Sequence, residues 1–392
     1  MKTLKRTWAD ISLDNLEYNY RSIRAHLPQG TKFLGVMKAD AYGHGAVPVS
    51  RALADLGAEY LAVSNLEEAV QIRRGEVRLP ILILGYTPAE YASNMIFLDI
   101  TQEVHSLEYA RELNEALAGT NYILNVHLKL DTGMTRIGFF AYDNERTLDE
   151  LRQVAQLPHL HIEGVFMHFC VADSRAEADV SFTKLQYKRF MDMLSAMEGA
   201  GIKPEIRHCC NSGATILYPE FALDMVRPGI ITYGNAPSDE LAGALRLRPM
   251  MSLHSMIAQV RTVPAGTDIS YGRLYRTKEE TRVAVLPIGY ADGLSRLLTG
   301  KASFYLQGHQ VPVIGRICMD MCMIDVSGVP EAKPGDVVTI FGYDDDGTLL
   351  PCERLARAQG TINYELLCQI SKRIPRICHR GAETSQILQY IV

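Results

Sequence analysis

The sequence predicts a (β/α)8, TIM-like barrel followed by a mainly β C-terminal domain. Three observations lead there. Over the first 240 or so residues, short apolar runs alternate with helical patterns, and eight such runs occur. The runs are near-continuous rather than alternating, which suits strands buried on both faces. After about Arg246, strand-like runs follow one another with turn signals at short spacing and no long helix. A doubly wound open sheet would use fewer strands and often a Gly-rich first turn, and no GxGxxG is present. A chain of 392 residues has room for a barrel of about 250 residues and a second domain. The expected bounds are 10–243 for the barrel and 244–392 for the β-rich domain, the latter joined by segment 1–9.

The elements follow in order. "SLDNLEYNYRSIRAHLP" reads as a helix capped by Ser12, with Leu16, Tyr20, Ile23 and Leu27 on one face. The strand "KFLGVMK" leads to the helix "VPVSRALADLGA". "YLAVSN" leads to "LEEAVQIRR", with Ser64 or Asn65 as the cap. "PILILGY" precedes "TPAEYASNM", and "FLDIT" precedes "SLEYARELNEALA". "YILNVHLKLDTG" precedes "ERTLDELRQVAQL", and "IEGVFMHF" precedes "DVSFTKLQYKRFMDMLSAMEGAG". "EIRHCCNS" precedes "GATILYP", and "LDMVRPG" closes the series. In the second domain, "MSLHSMIAQVRTV", "RVAVLPIGY", "ASFYLQGHQVPVIG", "RICMDMCMIDVS" and "DVVTIFG" read as strands. The pattern "NYELLCQISKRIP" reads as a helix ending at Pro375.

Composition narrows the function classes. Hydrophobic residues make up 47% and charged residues 22%, ordinary for a soluble globular protein. The formal net charge is -5 with both signs mixed, so nucleic acid is not an expected partner. No apolar run approaches the roughly 18 residues of a bilayer span, and the N-terminus lacks the apolar segment of a secretory signal. A cytoplasmic location is expected. The eight cysteines (Cys170, Cys209, Cys210, Cys318, Cys322, Cys352, Cys368 and Cys378) form no CxxC pair and no zinc-type cluster with histidine. Most are expected to pack as small reduced hydrophobes, and no metal is expected.

Barrel chemistry sits where strands end. Lys38 ends the first strand, and the fifth leads to Lys129 and "DTGMTR". The sixth ends at His168, and the seventh at His208, Asn211 and Ser212. The eighth ends at Arg227, followed by Pro228, Gly229 and Ile230. The loops after strands seven and eight are the usual phosphate cradle of this fold. Here Ser212 can donate a hydroxyl, and the glycines allow backbone N–H groups to approach an anion. Asn211 and Ser212 can equally cap the following helix. A lysine facing a phosphate cradle suits pyridoxal 5′-phosphate held covalently by the lysine amine.

The motifs "VMKADAYGHG", "KLDTGMTRIG", "MHFCVAD", "HCCNSGA", "VRPGIITYG", "ISYGRLY", "LPIGYADGLSR", "GRICMDMCMIDV" and "INYELLCQISKRIPR" run through nearly the whole chain. Together, and in this order, they resemble the alanine racemase family, whose members are pyridoxal phosphate enzymes. The resemblance implies a homodimer with shared active sites, supplying D-alanine for peptidoglycan precursors. It implies that Lys38 binds the cofactor and acts as one base. Tyr271 of the partner subunit would be the opposing base. Tyr42, Ser212, Gly229, Ile230 and Tyr364 would hold the phosphate, with Asn211 in the same loop. Arg227 would contact the pyridine nitrogen, supported by His208, with His168 near Tyr271. Arg136 would sit near the substrate carboxylate, oriented by Lys129, which family members often carry carbamylated. Met319 would offer its backbone N–H to that carboxylate, with Asp320 beside it and Tyr290 lining the entrance.

The residue types suit racemisation. Two bases on opposite faces remove and return one proton without a large rotation of the substrate. Arginine keeps its own proton, so a ring nitrogen facing Arg227 stays unprotonated and the carbanion less delocalised. Proton return then competes better against transamination. Two positions depart from the family's common form. Thr135 stands where glycine is expected, which predicts a different backbone angle in the loop carrying Arg136. Met321 stands where glutamine is common. Three other readings compete: a serine or dual serine/alanine racemase, a decarboxylase of the same fold type, and a non-catalytic cofactor carrier. Tyr364 disfavours the first, because serine-using relatives tend to have a smaller side chain there. Arg227 disfavours the second, which would want a carboxylate at the ring nitrogen. The full second domain with "ISYGRLY" disfavours the third.

Overall fold

A computed structural model describes residues 6–142 and 144–391. The chain divides into two compact units. One holds Leu16–Ala41 and Ala46–Arg248; the other holds the described residues through Asn15, Tyr42–Gly45 and those from Pro249 on.

The first unit is a barrel. Its eight principal strands are Lys32–Val36, Tyr60–Val63, Ile81–Ile83, Ile100–Val104, Leu124–Asp131, Leu160–Phe166, Ile206–His208 and Met225–Val226. The first seven pair in parallel with their sequence neighbours, and the eighth pairs in parallel with the first. Between the seventh and eighth, Asp224 N–H donates to Arg207 O (3.1 Å) and Arg227 N–H to Cys210 O (2.9 Å), nearly closing the ring. Several strands, such as Tyr60–Val63 and Ile81–Ile83, are buried at every residue. This is why their sequences read as unbroken apolar runs. Three of the helices start where capping residues stand: Asn65 accepts from Glu68 N–H, Ser106 from Tyr109 N–H, and Asn211 from Ala214 N–H.

The second unit is built on a largely antiparallel sheet. Its strands run, in spatial order, Gln259–Val263, Thr281–Leu286, Cys322–Asp325, His309–Ile314, Ser303–Leu306, Val337–Tyr343, Met251–Met256, Thr7–Ser12, Arg376–Arg380 and Glu383–Leu388. Thr7–Ser12 pairs antiparallel with Met251–Met256 and parallel with Arg376–Arg380. Strands such as Ser303–Leu306 alternate between buried and partly exposed positions, as one-sided strands do. The helical pattern read through to Pro375 stops at Cys368. The buried Arg376 guanidinium accounts for the break. It donates to the carbonyls of Ile370, Ser371 and Ile374, acceptors that a continuing helix would need. It also donates to Gly43 O (2.9 Å), tying the Tyr42–Gly45 segment to this unit.

Candidate active site

Lys38 lies two residues past the first barrel strand, at the head of a backbone turn of unusual hand. Ala39, Asp40, Ala41 and Tyr42 all have φ between 52° and 55°. Four consecutive left-handed residues without glycine cost roughly 1–2 kcal/mol each. Polar contacts hold the turn in place. Glu68 accepts from Ala39 N–H (2.7 Å) and Ser64 N–H (2.8 Å), and Asp40 accepts from Ala46 N–H (2.8 Å). The turn fixes where the Lys38 side chain starts.

The residues at the other barrel strand ends meet around Arg227. Its Nη1 donates to His208 Nδ1 (3.0 Å), and its Nη2 to Met167 O (2.7 Å), Cys209 O (3.1 Å) and His168 Nδ1 (3.4 Å). The Arg227 Nε–H has no hydrogen-bond partner among the described residues. Burial lowers this guanidinium to about 10, so it stays charged at neutral pH. The Phe166 ring lies 4.5 Å from Lys129 Nζ and stacks 4.9 Å from His208.

Burial is the main force on the bases here. It holds the Lys129 amine well below its ordinary value, with Arg227 and Arg136 adding to the effect. Burial and the side chains of Lys129, Arg227, Arg136 and Lys38 hold His168 well below the usual histidine range. His208 is held low by burial and Arg227. The mouth therefore gathers basic side chains that favour their neutral forms.

The loops after strands seven and eight come together through Ser212, whose Oγ accepts from Gly229 N–H (2.9 Å). The serine proton remains for an acceptor, while the Gly229 N–H is engaged. Asn211 serves as the cap: its Oδ1 accepts from Ala214 N–H and its Nδ2 donates to Phe169 O (3.1 Å). Ile230 is buried at the start of the next short helix. Arg136 is exposed on a loop anchored by Asp131, whose Oδ1 accepts from the N–H groups of Gly133, Met134 and Thr135. Thr135 has φ 55°, the left-handed region that suits glycine. The backbone there thus takes a glycine-like angle despite the side chain. The Asp131 anchor is what holds it.

In the second unit, the Tyr42 and Tyr364 rings lie 6.0 Å apart. Burial pushes the Tyr42 phenol up, keeping it a neutral donor. Tyr271, Met319 and Asp320 line one cavity of 630 Å³ with Ser270, Cys318 and Met321. Tyr271 is 68% exposed, carried on the tight link between strands Asp268–Ile269 and Tyr275–Arg276. Asp268 accepts from Arg273 and Arg276, clamping that link. The Cys318–Met321 turn docks on Gly289, Tyr290 and Ala291: Tyr290 N–H donates to Cys318 O and Ala291 N–H to Met319 O, both at 3.0 Å. A Cβ on Gly289 would collide with those two carbonyls. The Met319 N–H has no partner among the described residues. Asp320 accepts from Arg373 Nη2 (2.9 Å).

Sequence reasoning missed the residues behind Arg227. His127 Nδ1 lies 2.9 Å from His208 Nε2, and His127 Nε2 lies 3.1 Å from Glu163 Oε2. The signal was present. His127 is two residues before Lys129 and so shares its face of the strand, and Glu163 is a charge inside an apolar run. Cys209 and Cys210 are fully buried, as packed thiols.

Comparison with known proteins adds an independent line. Residues 11–237 match the family model described as alanine racemase, N-terminal domain. Residues 250–378 match that described as alanine racemase, C-terminal domain. The chain is 46% identical to an alanine racemase of Desulfovibrio desulfuricans, over 94% of this chain and 97% of the relative. It is 42% identical to one of Clostridium tetani over 100% of both chains. Among solved structures, an alanine racemase of Clostridium difficile 630 superposes with a TM-score of 0.93 at 40% identity, covering 100% of both chains.

Proposed function

The chain belongs to the alanine racemase family, and from that premise we propose that it interconverts L-alanine and D-alanine with pyridoxal 5′-phosphate. The observation that carries this reading is the state of Arg227. Its guanidinium is buried, charged and hydrogen-bonded on both terminal nitrogens, yet its Nε–H engages none of the described residues. A donor left over beside these bonds fits an acceptor ring nitrogen, and the Ser212 hydroxyl across the same loops fits a phosphate oxygen. When bound, the cofactor supplies an electron sink that makes the α-proton of the amino acid removable.

The protein's own groups divide the remaining work. Lys38 Nζ would hold the cofactor and move the α-proton on one face. The partner subunit's Tyr271 Oη would move it on the other. Ser212, Tyr42 and Tyr364 would hold the phosphate, with Gly229 and Ile230 shaping that loop. Arg136 and the Met319 N–H would orient the substrate carboxylate, with Lys129 behind Arg136. Arg227 would keep the ring nitrogen unprotonated, because a guanidinium held near its ordinary charge does not give up its proton. His208 and His168 brace it, and Tyr290 and Asp320 would line the entrance.

A methyl-sized pocket rejects an added hydroxyl only weakly, by about 10²-fold, so alanine is expected to exceed serine in kcat/KM without excluding it. The deciding assay incubates the loaded protein with L-alanine in D2O. It follows both α-deuterium incorporation and the appearance of the D-isomer. A protein that binds the cofactor but exchanges no α-proton is a carrier, and a serine kcat/KM above that for alanine makes it a serine racemase.

A further inference from the structure

Arginine donates hydrogen bonds and cannot accept them, which fixes the direction of every bond behind Arg227. Its Nη1 lies 3.0 Å from His208 Nδ1, so that nitrogen accepts and His208 carries its proton on Nε2. His208 Nε2 lies 2.9 Å from His127 Nδ1, so His127 in turn carries its proton on Nε2. That N–H donates to Glu163 Oε2 at 3.1 Å. The same oxygen accepts from Tyr60 Oη (2.7 Å) and Thr101 Oγ1 (3.2 Å). Every proton in the series points from the guanidinium toward the carboxylate, and both imidazoles are neutral.

The barrel is built to hold this series. Tyr60, Thr101 and Glu163 come from the second, fourth and sixth strands, and His127 and His208 from the fifth and seventh. This is the alternation of strands that fills such a barrel in layers. Both histidines are 0% exposed. Glu163 is followed by Gly164, where a Cβ would stand 2.5–2.6 Å from three atoms of the His127 ring. The strand thus gives up a side chain to make room for the imidazole. Burial alone would raise the Glu163 carboxyl, but the bonds from His127 and Tyr60 hold it down at about 2, so it is ionised.

We propose that Glu163 and His127 are positioning residues for Arg227, acting by fixing the tautomer of His208. With a bare Nδ1 against it, the guanidinium keeps the orientation in which its Nε–H engages none of the described residues. The opposite tautomer of His208 would set an N–H against the Arg227 N–H. The guanidinium would then be held only at Nη2, by Met167 O, Cys209 O and His168. The inference rests on the reading of Arg227 given under the proposed function.

Imidazole nitrogen NMR of protein labelled with 15N-histidine tests it, without cofactor and loaded, with His127→Asn and His208→Asn to assign the signals. Wild type should show both rings as neutral Nε2–H tautomers. Glu163→Gln keeps an oxygen that can accept and should preserve both tautomers and kcat. Glu163→Leu removes the acceptor. It should abolish the single tautomer at His208, alter the visible spectrum of the bound cofactor and lower kcat about tenfold. An Nδ1–H tautomer at His208 in wild type overturns the proposal, and this measurement decides even where Glu163→Leu fails to fold. An unchanged His208 tautomer, spectrum and kcat in a folded Glu163→Leu overturns it as well. If the tautomers behave as expected while the loaded wild type does not exchange the alanine α-proton, the relay stands and the catalytic reading of Arg227 fails.

Discussion

At the scale of single residues, position along a strand matters more than residue type. Lys38, His208 and Arg227 are ordinary polar side chains until the barrel brings their strand ends to one mouth. Replacing Lys38 by alanine should remove the visible absorbance of the lysine-bound cofactor together with racemisation; a retained band would reassign the lysine. The buried histidines make a second prediction, about pH. His127, His168 and His208 all have lowered values, chiefly through burial. A lowered base binds its proton less readily folded than unfolded. Its stabilising effect is therefore complete above the unfolded value of about 6.5 and is lost as pH falls below it. The slope is at most about 1.4 kcal/mol per pH unit for each ring. The thermal midpoint of the cofactor-free protein should drop steeply below about pH 6.5, and a midpoint flat from pH 7 to 5 would contradict the buried neutral state. The strand-end residues were legible because the fold gives each strand end one destination. The polar types of His127 and Glu163 were visible inside apolar runs, but their contact was not, because which way a polar side chain in a buried strand points depends on register.

At the scale of elements, the eight apolar runs and most of the helix starts could be read because each follows from local chemistry. Period, burial and capping leave direct marks on sequence. What escaped are features set by distant partners. The Thr7–Ser12 strand exists because Met251–Met256 and Arg376–Arg380 lie on either side of it. The left-handed turn from Ala39 to Tyr42 has no glycine to announce it. Gly164 is the clearest test of an element shaped by its contents. Gly164→Ala should destabilise the barrel by about 1–3 kcal/mol through overpacking against His127. Urea unfolding would measure it, and a neutral result would mean that the ring has room to move. Asp131→Ala removes the acceptor for three backbone N–H groups in the loop that carries Arg136. It should raise KM for alanine more than it lowers kcat, since the loop positions substrate rather than moving protons. A change in kcat alone would argue against that role.

At the scale of the whole molecule, the two kinds of functional group lie on different compact units. Lys38 and the groups around Arg227 belong to the barrel, while Tyr271, Met319 and Asp320 belong to the β-rich unit. The sequence carried the family motifs across both, yet no motif says whether a site draws its two units from one chain or two. The proposed site takes Tyr271 from a partner, and a mixing experiment separates the cases. Lys38→Ala and Tyr271→Phe should each be inactive, or nearly so, as homodimers. In a mixed dimer with shared sites, one site carries both defects and the other carries neither. Random reassortment of equal amounts makes half of the dimers mixed, so about a quarter of all sites should be intact. Activity should therefore recover to about a quarter of wild type after the two variants are dissociated and reassociated together. If Lys38 and Tyr271 act within one chain, every site in the mixture keeps one defect and no activity returns. The same arrangement makes activity depend on association, so full turnover by a proven monomer would exclude it independently.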